Sequence, residues 1–404
     1  MSLKIERLGH QGDGIAADGT LVARALPGEV VEGEIANGRI DAPRILTPSD
    51  QRVSAPCRHY KSCGGCALQH AAPGFVEGWK ADVVRRALDA RGLPAPVRAV
   101  HTSPAQSRRR AVFAGRRLKT GALVGFHGRR SQTLVAVPDC QILDPAILAC
   151  LPALEAIASQ IGSRKGELQL TVTSSANGPD VLVSGAKSPS VEDRMALSDL
   201  ARDHGLARLT VGDDLVAGRA APAQSFGGAE VTPPPGAFLQ ATPQGEAALT
   251  RAALTAIGDT GPVADLFAGC GTFTFPAARR VPVHAVEGSA GMIAALDHGM
   301  RHSTGFKPIT HEVRDLFRRP LLAGELKRFA AVIIDPPRAG AEAQMRALAE
   351  AGVPRIASLS CNPVSFARDT EILVAAGYAL DWIEVVDQFR WSPHVEIAAQ
   401  LTRA

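Results

Sequence analysis

The stretch Val263-Ala264-Asp265-Leu266-Phe267-Ala268-Gly269-Cys270-Gly271-Thr272-Phe273 decides how the C-terminal part of this chain folds. A short apolar run that carries an aspartate leads into a Gly-x-Gly turn, and residues typical of a helix start come next. Glycines let a ligand approach the backbone closely, and doubly wound sheets bind ligands at the carboxyl ends of their strands. The stretch therefore predicts a strand, a ligand-binding turn and a helix.

The residues from about 236 to the end continue this alternation of strand and helix, which predicts a mostly parallel sheet with helices on both faces. Apolar runs predict strands at 281–286, 329–334 and 355–360. Glu287 follows the first of these runs, where a carboxylate can accept hydrogen bonds from ribose hydroxyls. A dinucleotide fingerprint would have glycine in place of Thr274, so these residues alone fit either S-adenosylmethionine or NAD.

A rigid turn, Asp335-Pro336-Pro337-Arg338, follows a later strand and separates these two cofactors. It resembles the Asp-Pro-Pro turns of nucleic-acid methyltransferases, which favours S-adenosylmethionine. Adenine N6 methyltransferases usually carry an aromatic residue after the prolines, where this chain has Arg338. The turn therefore points away from methylation of an amino group.

Cys361, in Ser360-Cys361-Asn362-Pro363, is the candidate nucleophile. It precedes a predicted helix at 364–374, and we expect the positive end of the helix dipole to favour its thiolate. C5 of uracil is a poor nucleophile, but a thiolate added at C6 gives C5 carbanion character, so that it can take a methyl group. A general base must then remove the C5 proton, and Glu396 in His394-Val395-Glu396 is the candidate.

A separate group of cysteines lies near the N-terminus. Cys57, Cys63 and Cys66 occur in one short loop, with Gly64-Gly65 between the last two. Ligation by sulfur alone fits either structural zinc or an iron–sulfur cluster, and the spacing does not decide between them.

Of the remaining cysteines, one is expected to be the fourth ligand and the others to have no chemical role. Cys140, which follows an aspartate, is the preferred fourth ligand, and Cys150 is its rival. Cys270 lies inside the cofactor turn, but it has no partner base downstream and is assigned to neither chemistry.

The composition predicts a folded cytosolic protein. The chain has 404 residues, of which 46% are hydrophobic and 21% charged, with a formal net charge of +4. No apolar run approaches the roughly 18 residues that span a bilayer, and the start has no apolar core of a secretion signal. From Ser107 to Arg130 all charged residues are basic, which suits contacts with phosphates.

Three regions are expected along the chain. Glycine turns between short strands predict a small β-barrel at 1–50. Residues 51–232 form a central α+β region that carries the cysteine loop and a helix at 75–92, which we expect to pack on the catalytic region. Residues 233–404 form the Rossmann-like domain, after the rigid junction Pro233-Pro234-Pro235-Gly236.

The four motifs at 265–273, 335–340, 360–363 and 394–396, with the N-terminal Cys-x5-Cys-x2-Cys, resemble in their order the RNA uracil-5-methyltransferase family. The likeness covers nearly the whole chain and is greatest to the 23S ribosomal RNA branch. It implies a TRAM-like (OB-like) β-barrel, a central domain with a [4Fe-4S] cluster, and a class I methyltransferase domain that binds S-adenosylmethionine.

The resemblance also implies roles for individual residues. Cys361 would be the nucleophile and Glu396 the base. Residues in contact with S-adenosylmethionine would be Gln240, Phe267, Gly269, Thr272, Glu287 and Asp335. The [4Fe-4S] cluster, favoured over zinc and given a structural role, would be held by Cys57, Cys63, Cys66 and Cys140.

Two features depart from the family. Thr272 stands where relatives often have asparagine, and the segment Asp387-Gln388-Phe389-Arg390-Trp391-Ser392-Pro393-His394-Val395-Glu396 differs from the relatives' Asp-Met-Phe-Pro-x-Thr-x-His-Val-Glu. Asp315 is a further, weaker candidate for contact with the adenine.

We expect the protein to act as a monomer, away from membranes, on structured RNA. The resemblance favours 23S ribosomal RNA and leaves transfer RNA as the alternative. A non-catalytic RNA-binding iron–sulfur protein and a cluster-dependent redox protein are the competing hypotheses, and both leave Cys361 without a purpose.

Overall fold

The computed structural model describes residues 2–403. The N-terminal strands are β1 (Ser2–Leu8), β2 (Gly14–Ala16), β3 (Leu21–Val22), β4 (Val30–Glu32), β5 (Arg39–Ile40) and β6 (Arg44–Thr47). They form one sheet in the order β5-β3-β2-β1-β4-β6, in which only β3 and β5 pair in parallel. Leu3 and Ile5 alternate with exposed residues on β1 and pack into a small core with Val31 and Ile40. The N-terminal β region is confirmed, while its closure into a barrel stays a prediction.

The elements of the middle of the chain are α1 (Pro73–Asp89), β7 (Val97–Thr102), β8 (Arg110–Arg117), β9 (Ala122–His127), β10 (Leu134–Val135), α2 (Pro145–Ala149), α3 (Leu151–Ile161), β11 (Leu168–Thr173), β12 (Asp180–Ser184), α4 (Val191–Asp203), β13 (Arg208–Val211), β14 (Asp214–Gly218), β15 (Gln224–Phe226) and β16 (Ala229–Val231). Seven of these strands form a sheet in the order β10-β9-β8-β11-β12-β13-β14, and β15 pairs with β16. Apolar side chains of α3 and α4 cover the larger sheet.

The C-terminal elements are α5 (Pro243–Ile257), β17 (Val263–Leu266), α6 (Thr274–Ala278), β18 (Val283–Glu287), α7 (Ala290–Arg301), β19 (Ile309–Val313), α8 (Ala323–Leu326), β20 (Ala331–Ile334), α9 (Glu342–Ala351), β21 (Arg355–Ser360), α10 (Pro363–Ala375), β22 (Tyr378–Asp387) and β23 (Glu396–Arg403). The strands form one sheet in the order β19-β18-β17-β20-β21-β23-β22-β7. Strands β17 to β21 are parallel, and every residue of β17 and β20 is buried, as expected between two helical layers. The Rossmann-like fold is confirmed.

The order of this sheet positions a binding site. The chain proceeds outward from β17 to β19 on one side and from β20 to β21 on the other, so the direction reverses between β17 and β20. A crevice forms outside the carboxyl ends of the strands at such a switch point. Because β23 runs antiparallel to β21, with Ser360 opposite Ile397, the start of β23 lies at this same edge.

Two elements from the middle of the chain belong spatially to the catalytic sheet. Strand β7 pairs in parallel with β22 and forms the sheet edge. Helix α1 packs Val84 and Leu88 into the core that β20, β21 and α10 share, as we expected of the helix at 75–92. The borders predicted at 50 and 232 stay predictions, since residues 97–102 fall in the predicted central region but pair with the catalytic sheet. No helix within residues 2–403 is long and apolar enough to span a membrane.

Candidate active site

The turn after β17 brings three of the expected cofactor residues together. Phe267 and Gly269 have positive φ angles of 63° and 57°. The Gly269 N–H donates to Glu287 Oε2 at 3.0 Å, and the Ser289 N–H donates to Oε1 at 2.9 Å. A Cβ atom at Gly271, where φ is 97°, would lie 2.6 Å from the Phe275 ring, so glycine is required there. Glu287 therefore ties the turn to the end of β18.

Two carboxyl groups lie beneath this turn. Burial raises the pKa of Asp265 to about 7, and the neighbouring carboxylates of Asp335 and Glu287 add to the rise. Its Oδ2 accepts the Thr274 hydroxyl at 2.6 Å, while Oδ1 is buried without a partner. Burial also raises the pKa of Asp335 to about 7. Gln240 Nε2 donates a hydrogen bond of 3.1 Å to Asp335 Oδ2, and this bond opposes the rise. Such carboxyl groups suit a ligand that donates hydrogen bonds or carries positive charge.

Thr272 and Asp315 are the two weaker candidates for contact with the cofactor. Thr272 faces a separate cavity of about 240 Å³, whose lining includes Glu246. Asp315 follows β19 and accepts the backbone N–H groups of Phe317 and Arg318 at 2.9 and 3.2 Å. The cofactor contact of Thr272 stays a prediction.

Cys361 follows β21 directly, where Asn362 caps α10 by accepting the Val364 N–H at 3.1 Å. Burial raises the pKa of its thiol to about 11, the carboxyl groups of Glu396 and Asp335 add to this, and Arg338 opposes it. The contribution of the helix dipole to the Cys361 thiolate stays a prediction, while burial and the two carboxyl groups favour the protonated thiol.

Glu396 is the first residue of β23 and is almost completely buried. It pairs with Val386 on β22, and its neighbour Ile397 pairs with Ser360 on β21, so Glu396 lies next to Cys361 at the sheet edge. Burial raises its pKa well above the ordinary value of 4.5, and repulsion from Asp335 adds to the rise. The structure thus brings both predicted catalytic residues to the edge that carries the predicted cofactor residues.

The loop between β22 and β23, residues 388–395, leads to Glu396 and is held from several sides. Gln388 Nε2 donates to Gln240 Oε1 at 2.6 Å, and its Oε1 accepts the Ala241 N–H at 2.7 Å. Gln388 also lies close enough to Glu396 to oppose the rise in its pKa. Gln388 therefore connects the predicted base to the residues around Asp335, a role that its sequence did not indicate.

The cysteine loop contacts this catalytic loop directly. Trp391 has a φ of 60°, and its carbonyl oxygen accepts the N–H groups of Ala67 and Leu68 at 2.8 and 3.0 Å. These two donors come directly after Cys66 in the chain. A change in the cysteine loop can therefore move the loop that leads to the predicted base.

A cavity of about 1080 Å³ extends from the cysteine loop to Cys361. Its described lining includes no aspartate or glutamate but several arginines, which are Arg86, Arg108, Arg110, Arg129, Arg130 and Arg338. The Arg110 guanidinium has no acidic partner at two of its nitrogen atoms. Nη2 donates to the Gly236 carbonyl at 3.1 Å, and the buried Nε has no hydrogen-bond partner. A cavity of this size and charge fits a polyanion segment that reaches the thiol.

The basic segment at 107–130 contributes less to this surface than its sequence suggested. Arg109 pairs with Glu246, Arg116 pairs with Glu167, and Arg129 pairs with Asp13. Phe113 is buried and stacks on Phe126 with ring centroids 4.8 Å apart. Arg109, Arg116 and Phe113 thus stabilise the fold and do not line the cavity, whereas Arg129 lines it while paired with Asp13.

Four cysteines, Cys57, Cys63, Cys66 and Cys140, line one end of the large cavity. Burial raises the pKa of Cys66 to about 12, and the other three add to the rise, so the four sulfur atoms are neighbours. All of them are free thiols, and the Gly65 N–H donates to Cys63 Sγ at 3.4 Å. Within residues 2–403, no three His, Cys, Asp or Glu side chains are arranged around a single metal ion.

The two remaining cysteines lie elsewhere. Cys150 is buried in the core of the central sheet, and burial raises its pKa to about 12. Cys270 is buried behind the cofactor turn, and burial likewise raises its pKa to about 12. Neither thiol lines the large cavity.

Lys80 and Asp387 form an ion pair that the sequence analysis missed. Lys80 lies on α1 and Asp387 ends β22, and both side chains are almost fully buried, with exposures of 0% and 1%. Lys80 belongs to the buried stripe of α1 with Val76, Trp79 and Val84. A charged residue inside an apolar helical stripe is the signal that could have predicted a buried partner.

Comparisons with known proteins agree with this geometry. Residues 237–404 match the family described as tRNA (uracil-5-)-methyltransferase. A Rhizobium meliloti protein described as an uncharacterized RNA methyltransferase is 41% identical, over 100% of this chain and 99% of its own length. The Halomonas elongata 23S rRNA (uracil(1939)-C(5))-methyltransferase RlmD is 32% identical, over 98% and 88%.

A solved structure has the same overall fold. It is the tRNA (uracil-54, C5)-methyltransferase of Pyrococcus abyssi in complex with S-adenosyl-L-homocysteine. The TM-score is 0.77 and the sequence identity 21%, over 100% of this chain and 99% of the other. At this identity the likeness concerns the fold alone.

Proposed function

We propose that this chain, which belongs to the family of S-adenosylmethionine-dependent RNA (uracil-5-)-methyltransferases, methylates C5 of one uridine through a covalent adduct with Cys361. The observation that carries the proposal is the position of Glu396 beside Cys361, at the sheet edge where Gln240 and Asp335 meet. A nucleophile and a buried base at one edge match the two roles that this reaction requires.

The chemistry assigned to Cys361 begins with its addition to C6 of the uracil. The thiol proton passes to solvent water as the C–S bond forms, and the electron pair of the C5–C6 double bond moves toward C5 and O4. C5 would then take the methyl group as the bond between the sulfonium sulfur and that methyl breaks, with S-adenosylhomocysteine as the leaving group. Glu396 removes the C5 proton, and the electron pair left at C5 restores the double bond as the thiolate leaves. A carboxylate with a raised pKa is a stronger base, which suits a proton on carbon.

The residues at the switch point fit S-adenosylmethionine. When bound, it supplies an electrophilic methyl group on a sulfonium. Glu287 would accept the ribose hydroxyls, since its carboxylate lies at the end of β18 beside the Gly269 turn. Asp335 and Gln240 would lie toward the methionine part, where a carboxyl group and an amide can accept hydrogen bonds from an ammonium.

Covalent trapping tests the nucleophile directly. The protein would be incubated with S-adenosylmethionine and RNA from a strain that lacks the gene and was grown with 5-fluorouracil. Fluorine at C5 cannot leave as a proton, so the Cys361 adduct should persist on a denaturing gel. Absence of an adduct with protein that methylates ordinary RNA would refute the covalent mechanism.

We assign 23S ribosomal RNA as the preferred substrate. The support is the 32% identity to the Halomonas elongata enzyme, which extends over both the cysteine region and the catalytic domain. Transfer RNA is the second candidate, since the family that matches residues 237–404 is described by that substrate. Mass-spectrometric mapping of 5-methyluridine in both RNAs, with and without the gene, distinguishes them, because only one position should lose its methyl group.

The four cysteines at the large cavity fit a [4Fe-4S] cluster. Four free thiols line one end of that cavity, and backbone N–H groups of Gly65, Ile142 and Leu143 donate toward two of the sulfur atoms, which favours their thiolate forms. The cluster would organise the loop that contacts Trp391, and methyl transfer requires no electron from it. Iron, sulfide and zinc analysis of anaerobically purified protein tests this assignment: zinc without iron would refute it.

A further inference from the structure

We propose that Lys80 is a positioning residue for Glu396, acting through Asp387 and the start of the 388–395 loop. This inference rests on the proposed function, because it takes Glu396 as the base. Lys80 lies on α1, far from the catalytic motifs in the sequence, and it touches none of the residues assigned to the cofactor.

The contacts of Lys80 fix the first residues of the loop. Its ammonium group donates to Asp387 Oδ1 and to the Phe389 carbonyl, the latter at 3.2 Å. The same Asp387 oxygen accepts the Phe389 N–H at 3.1 Å. The Ser103 N–H donates to the Asp387 carbonyl at 2.9 Å. The backbone on both sides of Gln388 is therefore held by the ion pair and its surroundings.

Gln388 transmits this constraint to the base. With its backbone fixed, its side chain remains between Gln240 and Glu396, bonded to Gln240 Oε1 at 2.6 Å and close enough to Glu396 to affect its pKa. The other anchors of the loop lie further along it: Arg390 Nη1 donates to the Ser103 carbonyl at 3.1 Å, and the Trp391 carbonyl accepts the N–H groups of Ala67 and Leu68. Loss of the Lys80 ammonium would free the end of the loop nearest Gln388.

A Lys80 variant can fail because Glu396 is misplaced or because the protein loses its structure. The stage of the reaction at which the variant fails distinguishes these two cases. Addition of Cys361 to C6 precedes the proton removal that Glu396 performs. Lys80→Met should therefore leave trapping on 5-fluorouridine-containing RNA close to wild type, while turnover on ordinary RNA falls by about 10- to 100-fold, the range for a misplaced catalytic group. The methylated Cys361 adduct should accumulate on ordinary RNA, as it would in Glu396→Gln.

Arg85→Met is the matched control, since it removes a cation from the same helix and breaks an exposed ion pair with Asp82. This variant should turn over like wild type without a persistent adduct. Equal loss of trapping and turnover in Lys80→Met, in proportion to the loss of folded protein, would overturn the inference. Failure of wild type to trap would instead refute the proposed function.

A double variant tests the case in which Lys80→Met folds poorly. Lys80→Met with Asp387→Leu removes both buried charges, so that no unpaired carboxylate destabilises the core. The Phe389 carbonyl would still lack its donor. We expect this folded variant to accumulate the adduct on ordinary RNA. A stable double variant with wild-type turnover would overturn the role of Lys80.

Discussion

Cys361 and Glu396 each lie one residue beyond the last pair, Ser360 with Ile397, of the antiparallel ladder between β21 and β23. Burial is the largest cause of the raised pKa of the Cys361 thiol, and the carboxyl group of Glu396 is the second largest. The same neighbour that holds back ionisation of the thiol is the proposed acceptor of the C5 proton. Nucleophile and base are thus coupled before any RNA binds.

Replacement of the nucleophile should abolish the reaction. We expect Cys361→Ala to lose methyl transfer completely, together with the covalent adduct on 5-fluorouridine-containing RNA, because no other cavity thiol lies beside Glu396. Transfer of radioactive methyl groups to RNA measures this. Cys150→Ala, at a buried cysteine outside the cavity, should keep full activity. Methylation by Cys361→Ala would exclude the adduct mechanism.

Removal of the base should stop the reaction at a later stage. Glu396→Gln should reduce turnover by about 10²- to 10⁴-fold, the usual contribution of general acid–base catalysis, while the methylated protein–RNA adduct accumulates. Denaturing gels and mass spectrometry detect that adduct. Glu371→Gln, on the exposed side of α10, serves as control and should release product normally. Normal product release by Glu396→Gln would show that another group removes the proton.

The raised pKa of Cys361 predicts slow reaction with alkylating agents at neutral pH. Because its pKa is about 11, the thiolate fraction of Cys361 should rise by about tenfold per pH unit between about pH 7 and pH 10. The rate at which iodoacetamide alkylates Cys361 in the folded protein should rise in parallel. Mass spectrometry of the peptide that contains Cys361, isolated after digestion, measures this rate. A plateau near pH 8 would instead indicate a thiolate favoured by the helix dipole.

Asp335 should make stability depend on pH. Burial raises its pKa from 3.8 to about 7, above the value in the unfolded chain, so its contribution to stability is complete below pH 3.8 and is lost as pH rises through about 7. Asparagine cannot ionise. The free energy of unfolding of Asp335→Asn should therefore exceed that of wild type by about 2–4 kcal/mol at neutral to alkaline pH, with the smallest difference near pH 4.

Urea denaturation without cofactor measures this difference. Asp259→Asn, at an exposed aspartate, is the control and should show no such dependence on pH. A difference between Asp335→Asn and wild type that stays constant from acid to neutral pH would contradict the raised pKa.

Substitution of a proposed cysteine ligand should change iron content and loop structure together. Cys66→Ser should lose most of the bound iron, and protease cleavage within 388–395 should become faster, because Ala67 and Leu68 hold the Trp391 carbonyl. Iron analysis and limited proteolysis test the two effects. Cys150→Ser should retain iron, since its thiol lies in the core of the central sheet. Full iron content in Cys66→Ser would remove this residue from the ligand set.

The local motifs predicted most of the catalytic edge because each one depends on neighbouring residues. The apolar run at 355–360 became β21 with the predicted bounds, and Asn362 and Pro363 begin the helix that follows it. The Gly-x-Gly turn follows β17 as expected. Strand-end residues of parallel strands meet at one edge, so the order of the motifs was sufficient to predict that Asp335 and Cys361 lie near each other.

Contacts between distant segments could not be predicted in this way. Pairing of β7 with β22, the burial of Lys80 against Asp387, and the hold of the cysteine loop on Trp391 join residues far apart in the chain. The pattern of apolar residues within one segment does not specify which distant segment it will contact. The rise in the pKa of Cys361 could not be predicted for the same reason, because it depends on burial and on the carboxyl groups of Glu396, which begins β23, and Asp335, which follows β20.

The sequence by itself determined the class of fold, the order of the functional motifs and the separation of the cysteine loop from the candidate nucleophile Cys361. These features follow from short patterns of apolar, glycine and cysteine residues. Only the tertiary structure decided that Glu396 lies beside Cys361, since the antiparallel direction of β23 returns its first residue to the carboxyl edge of the parallel strands. Burial there then sets the protonation of both groups, and burial is a property of the whole fold.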